Sequence, residues 1–197
     1  MRSTGATVAS GHGSVRPRRA FSLHARAPLG RILRLPLRLI PPGTTVPILA
    51  TAARGKQWIA GSGPHSCWLG INEIVKRKYF STHVLPGHVV YDIGANVGSY
   101  TMLASVLAGP RGQVIAFEPV PENVAYLRRH VAINQLTNVQ VHDVAVADVS
   151  GVVSFHAAAD RVLGRIDADG DLPVRAVRLG GNEKAMKENS WLGVLIE

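Results

Sequence analysis

The rhythm of hydrophobic and polar positions changes near residue 89. From there on, five-residue apolar runs alternate with longer stretches in which apolar residues recur every three or four positions. The runs predict strands over 89–93, 113–117 and 139–143, and the longer stretches predict helices over 99–108 and 121–134. Gly109-Pro110-Arg111-Gly112 marks the turn between the first helix and the second strand. Strands alternating with helices of this length imply right-handed crossovers and a parallel sheet, so the predicted class is α/β. Residues 144–155 then alternate around Ser150-Gly151 and read as a hairpin appended to that sheet.

Before residue 89 the pattern is weaker. Residues 71–83 keep a helical period with Ile74 and Tyr79 or Phe80 inward, and Leu85-Pro86-Gly87 stops it. Residues 46–70 alternate irregularly and are rich in glycine, which predicts short strands or loops anchored by Trp58 and Trp68. Over 29–40, leucines and arginines alternate until Pro41-Pro42; this short amphipathic piece reads as a packing cap, with contact to a membrane surface as its second use. Residues 1–28 show no apolar period and are rich in Ser, Gly, Arg and Pro, the composition of a flexible segment. The expected parts are therefore a basic leader (1–28), a cap with a lead-in helix (29–88) and a ligand-binding domain (89–197).

Charge sharpens this division. The net charge is +9, yet ten Arg and Lys residues and no acid precede Glu73, so the rest of the chain sums to −1. Such a leader suits a nucleic-acid arm, an anionic-membrane patch or a targeting peptide, although a solvated tail is the commoner outcome. Arg31, Arg34 and Arg38 interrupt the one stretch that resembles a secretory core, and no segment approaches the roughly 20 apolar residues of a bilayer span. A cytoplasmic setting is the expectation. Cys67 is the single cysteine, with no second thiol for a disulfide or a shared metal, and is expected to be a buried small hydrophobe; no metal site is expected.

The chemistry concentrates in VVYDIGANVGSY, an apolar strand, an acid, a glycine-bracketed turn and a helix start. Gly94 and Gly98 let backbone approach a ligand, and amides at a helix start favour polar or anionic groups. Asn96 stands where a dinucleotide fingerprint has its second glycine, which disfavours a pyrophosphate and with it an oxidoreductase. Asp92 adds a carboxylate suited to a cationic ligand. Glu118 closes the second strand where an acid accepts ribose hydroxyls, and Asp143 closes the third within reach of an adenine amino group. The plainer alternative is that the glycines only permit a tight turn and the acids only cap helices. His88, His142 and His156 are near in sequence, but none is assigned as a catalytic base, since a lone histidine at a strand end usually serves a structural hydrogen bond.

DIGANVGSYTMLAS, then VIAFEPVPENVAYLRRHVAINQL, then NVQVHDVAVADVSG, resemble the FkbM-type methyltransferases, a class I family, with the likeness running over about residues 41–179. The resemblance implies a Rossmann-like parallel sheet and S-adenosylmethionine as methyl donor. It implies Asp92, Gly94, Asn96 and Gly98 around the methionine portion, Glu118 on the ribose and Asp143 near the adenine. It also implies methyl transfer to a hydroxyl of a small molecule or glycan, such as a sugar or secondary metabolite, and gives no support for a nucleic-acid substrate beyond the basic leader. After Leu179 the pattern departs from the family: a run resembling Lys-Ile-Asp-Val-Glu-Gly is replaced by GGNEKAMKENSWLGVLIE, in which Gly181-Asn182-Glu183 resembles the end of that run and Trp191 to Glu197 the following strand. The expectation is a sheet missing its C-terminal strands, the fourth included, and hence a crevice with one wall. A catalytically impaired cofactor-binding fragment is the alternative to an active enzyme.

Overall fold

The computed structural model describes residues 36–157, 164–166, 169–178 and 191–195. The expected leader over 1–28, the first part of the cap and the irregular run over 180–190 lie outside the described residues. The chain divides into two units, Met1–Leu39 and Ile40–Glu197. In the first, the described residues form a 3-10 turn, Pro36–Leu39.

The second unit opens with a two-stranded antiparallel ribbon of β1 (Thr45–Pro47) and β2 (Gln57–Ile59). Two helices follow, α1 (His65–Leu69) and α2 (Ile74–His83). The α/β region comprises β3 (Val89–Ile93), α3 (Ser99–Ala108), β4 (Gln113–Phe117), α4 (Pro121–Ile133) and β5 (Val139–His142). These boundaries agree with the pattern of the sequence to within a residue, because each strand is a short apolar run closed by a glycine, a proline or an acid. No helix among the described residues is long and apolar enough to cross a membrane.

β3, β4 and β5 pair in parallel, and β10 (Trp191–Leu195) pairs in parallel with β3, giving the order β10-β3-β4-β5. β10 falls within residues 191–197, the segment expected to resemble a strand of the family. Trp191 stands opposite Val89 and Leu195 opposite Ile93, so β10 runs the whole length of β3. The backbone donors and acceptors along β3, which pairing with β4 satisfies on one edge only, find partners in β10 on the other.

A second correction concerns residues 144–155. They form no hairpin: β6 (Ala145–Ala147) pairs in parallel with β9 (Leu172–Arg178), which also pairs antiparallel with β7 (Gly151–Ala157). With β8 (Gly164–Ile166) they make a separate sheet, β6-β9-β7-β8. The alternation of β9, with Val174 and Ala176 buried and Pro173 and Arg175 exposed, lets it pack on Ala145 and Phe155, so it inserts where a hairpin partner would lie.

Helix α3 is buried on nearly every side, and Met102, Leu103 and Ala104 have no exposed surface. Its apolar residues run all round, which demands a cover on the side away from the sheet. That cover comes from α2. Phe80 and Val84 join Tyr100, Leu103, Val90 and Val114 in one cluster, while Ile74 and Tyr79 are exposed. The inward face of α2 is therefore Arg77 and Phe80, correcting the prediction for Ile74 and Tyr79. The ribbon is bound to α4 by polar groups. Asn134 accepts from Gln57 N at 2.6 Å and donates to Gln57 O at 2.8 Å, and His130 accepts from Ile59 N at 3.0 Å. Trp58, Trp68 and Cys67 are buried, as expected.

Candidate active site

The strand register decides which side chains meet. Asp92 lies opposite Ala116, and Phe117 lies opposite both Ile93 and His142. Glu118 and Asp143 are thus the first residues beyond aligned strand ends, and side-chain alternation puts both on the face that carries Val90, Asp92, Val114 and Ala116. All three acids stand at the C-terminal edge of the sheet, on the side covered by α3 and α4.

Between Asp92 and α3 the chain makes its tight turn. Gly94, Asn96 and Gly98 have φ of 75°, 50° and 95°, all in the left-handed region. Asn tolerates that region because its short side chain bonds locally, and here Asn96 Oδ1 accepts from Val97 N at 2.7 Å. Gly94 N and Ala95 N both donate to Phe117 O at 2.9 Å, which ties the turn to the end of β4. Gly94 is exposed. Gly98 answers to packing: a Cβ there would lie 2.5 Å from Leu127 Cδ1, in a side chain with no exposed surface. Gly98→Ala is expected to cost about 2 kcal/mol, combining left-handed strain and overpacking, seen as a lower urea midpoint with an unchanged slope.

Asp92 is 3% exposed, and Thr101 donates its hydroxyl to Oδ2 at 2.5 Å. Burial, reinforced by the charge of Glu118 and offset by Thr101, pushes its carboxyl up to about 6. Glu118 is 4% exposed and its carboxyl is likewise raised by burial. It accepts Asn96 N at 2.8 Å on Oε2, and Val120 N at 2.9 Å and Asn123 Nδ2 at 3.3 Å on Oε1. Glu118 therefore also holds the start of α4, part of what the helix-capping alternative expects, while an ionised carboxylate with about four acceptor positions keeps one more on Oε2. Asp92 caps no helix; its partner lies in the first turn of α3.

Asp143 is placed differently. It is half exposed and pairs with Arg175 at 2.9 Å and Arg128 at 3.9 Å. With Pro119, Pro121, Val124, Pro173 and the two arginines it borders a cavity of about 310 Å³, which neither Asp92 nor Glu118 lines. His88 accepts from Leu85 N and precedes β3, at the sheet edge opposite the turn, whereas His142 stacks on Phe117 at 5.2 Å. Sequence reasoning missed Thr101, Asn123 and Arg77. Thr101 follows Gly98 by three residues and Asn123 follows Glu118 by five, whereas Arg77 is signalled only by its place one turn before Phe80 on α2.

A parallel sheet with this strand order, acids at successive strand ends and a glycine-bracketed turn between the first strand and its helix is the class I methyltransferase architecture. Residues 92–180 match the Methyltransferase FkbM domain. The 31-O-demethyl-FK506 methyltransferase FkbM of Streptomyces tacrolimicus is 42% identical over 67 residues, which are 34% of this chain and 25% of that protein. The chain thus spans about a quarter of the curated relative it matches. Among solved structures, a SAM-dependent methyltransferase from Aquifex aeolicus aligns at 23% identity and a TM-score of 0.33, covering 42% of this chain and 43% of that one. A SAM-dependent O-methyltransferase from Thermotoga maritima aligns at 19% identity and a TM-score of 0.35, covering 52% and 40%. These overlaps are partial, and the fold assignment rests on strand order and the domain match.

Proposed function

We propose that the chain binds S-adenosylmethionine at the turn over 94–98 and transfers its methyl group to a hydroxyl oxygen of a sugar or secondary metabolite. The observation that carries this reading is the pair of buried carboxylates, Asp92 and Glu118, at neighbouring strand ends with the turn between them. Two desolvated acids, Asp92 raised further by the charge of Glu118, are costly unless a ligand repays them, and a cationic ligand does so. Asp92 favours the positive charge of the donor, Oε2 of Glu118 accepts a ribose hydroxyl, and the bend through Gly94 leaves the exposed backbone open to close approach. Asp143 and the adjoining cavity take the adenine, with Arg175 and Arg128 sharing the carboxylate.

Bound there, S-adenosylmethionine supplies an electrophilic methyl on a sulfonium. The protein's part is to fix donor and acceptor in line, and such positioning is worth up to about 7–11 kcal/mol of barrier. Transfer to oxygen draws support from the relative named for methylating a 31-O-demethyl substrate.

Calorimetric titration of the full chain tests the reading. S-adenosylmethionine and S-adenosylhomocysteine are expected to bind and NAD is not. Glu118→Gln, which keeps the shape but weakens acceptance from ribose and backbone donors, is expected to lower affinity on the order of 10-fold. Tighter binding of NAD than of S-adenosylhomocysteine would recover the oxidoreductase. Donor binding with no methyl transfer across a panel of hydroxyl acceptors would identify the impaired binding module instead.

A further inference from the structure

Arg77 is a buried cation whose hydrogen-bonding capacity the fold leaves incomplete, although its charge acts on the nearby Glu73 carboxylate. It is 4% exposed, and its Nε has no hydrogen-bond partner. Its Nη2 donates to Ser99 Oγ, and its guanidinium lies over the Tyr100 ring at 5.0 Å. Ser99 is the first residue of α3. Among the described residues no carboxylate forms an ion pair with Arg77, and the nearby Glu73 pairs with Lys76 at 2.8 Å and accepts from Tyr100 Oη at 3.2 Å. Removing a guanidinium from water without an anion is expensive, and structures that keep such a group usually supply its partner.

The helix start beside it is equally short of negative charge. Gly98 at the N-cap gives no side-chain acceptor, and the first turn of α3 contains no acid. A helix start carries roughly half a positive charge. Guanidinium and helix end thus place two positive features at one point, beside the turn that carries Gly94 and Asn96.

Asp92 completes the arrangement from the other flank of the same helical turn, through its bond to Thr101. The first turn of α3 presents a guanidinium at Ser99 and a carboxylate at Thr101. An α-amino acid carries the complementary pair on one carbon. We propose that Arg77, with the start of α3, binds the carboxylate of the donor's amino-acid end, while Asp92 faces its cationic side. This rests on the donor reading proposed for the same turn. Arg77 is then a binding residue contributed by a helix that precedes the family domain.

Decarboxylated S-adenosylmethionine isolates the contact, because it keeps adenosine, sulfonium and amine and lacks only the carboxylate. By calorimetry the wild-type chain is expected to prefer the complete donor by on the order of 10–100-fold, the weight of a charge-assisted hydrogen bond. Arg77→Gln is expected to remove that preference, leaving affinity for the decarboxylated compound within about 3-fold. Equal wild-type affinity for the two compounds overturns the proposal without any variant. So does an Arg77→Gln chain that weakens both alike or neither. Should that variant fail to fold by circular dichroism, Arg77→Lys carries the same comparison: a reduced ratio supports the assignment and an unchanged ratio overturns it. If the wild-type chain binds neither compound, the donor reading of the whole turn fails, an outcome distinct from binding both equally.

Discussion

Asp92→Asn is expected to stabilise the folded chain at neutral pH while abolishing donor binding. Burial, with Glu118 nearby, lifts the folded-state carboxyl from 3.8 to about 6. A raised folded value means that the stability share is fully present below about pH 4 and is lost as pH rises through 6, when the buried group must ionise. The shift corresponds to about 3 kcal/mol. Asparagine keeps the acceptor for Thr101 and drops the charge, so urea unfolding at pH 8 should show a gain of about 1–3 kcal/mol, fading to none near pH 4. Glu118, also raised by burial, contributes in the same direction and remains in the variant. The same change removes the charge that faces a cationic ligand, and affinity for S-adenosylmethionine should fall more than about 100-fold. A destabilised Asp92→Asn chain at pH 8 would mean that the carboxylate is satisfied within the fold and has no need of a ligand. Site residues held at a cost to stability are a common compromise of activity.

The acids were legible because strand ends are. A run such as Val89–Ile93 closed by Gly94 fixes where the strand stops, and parallel register then carries Glu118 and Asp143 to the same edge. Asn96 was legible as the residue that departs from the dinucleotide fingerprint, and its left-handed φ of 50° shows why a short polar side chain serves in that place. Spacing says nothing, however, about partners. It set Asp143 beside the other acids without revealing that Arg175, 32 residues on and in another sheet, holds it. For the same reason the cover of α3 was misread. A period of 3.6 along α2 fits Ile74, Phe80 and Tyr79 facing inward as well as it fits Arg77 and Phe80, and only Ser99 and Tyr100 across the interface decide between them. The hairpin at Ser150-Gly151 failed similarly, since β9 lies between β6 and β7 and packs Val174 and Ala176 with Ala145 and Phe155. Residues 191–197 were legible as a strand, but a strand of five residues after an irregular stretch gives no signal of which edge it will join.

His130 is the second residue whose replacement should have a large effect, and its pH dependence opposes that of Asp92. It is fully buried on α4 and stacks on Trp58 at 4.3 Å. Nε2 accepts from Ile59 N at 3.0 Å, so the proton sits on Nδ1, which donates to Val97 O at 2.7 Å. One neutral imidazole thus bridges the ribbon, α4 and the turn beside Asn96. A second proton would have to lie on Nε2, against the Ile59 N–H, and burial lowers the ring from 6.5 to about 4. Here the folded state binds fewer protons between about pH 4 and 6.5, so stability falls on acidification across that window, by about 3 kcal/mol. Over nearly the same range the Asp92 share grows on acidification, and in the wild-type chain the two should largely cancel. Each single variant exposes the other. Asp92→Asn should lose stability from pH 6.5 to 4.5. His130→Gln, about 3–5 kcal/mol less stable throughout because two buried backbone groups lose their partner and Trp58 its stack, should gain over the same interval. Urea midpoints at pH 4.5, 5.5 and 6.5 for the three chains decide the matter. Profiles of equal slope would show that neither group titrates inside the fold, and with that the buried charge at the turn, on which the ligand assignment depends, would be lost.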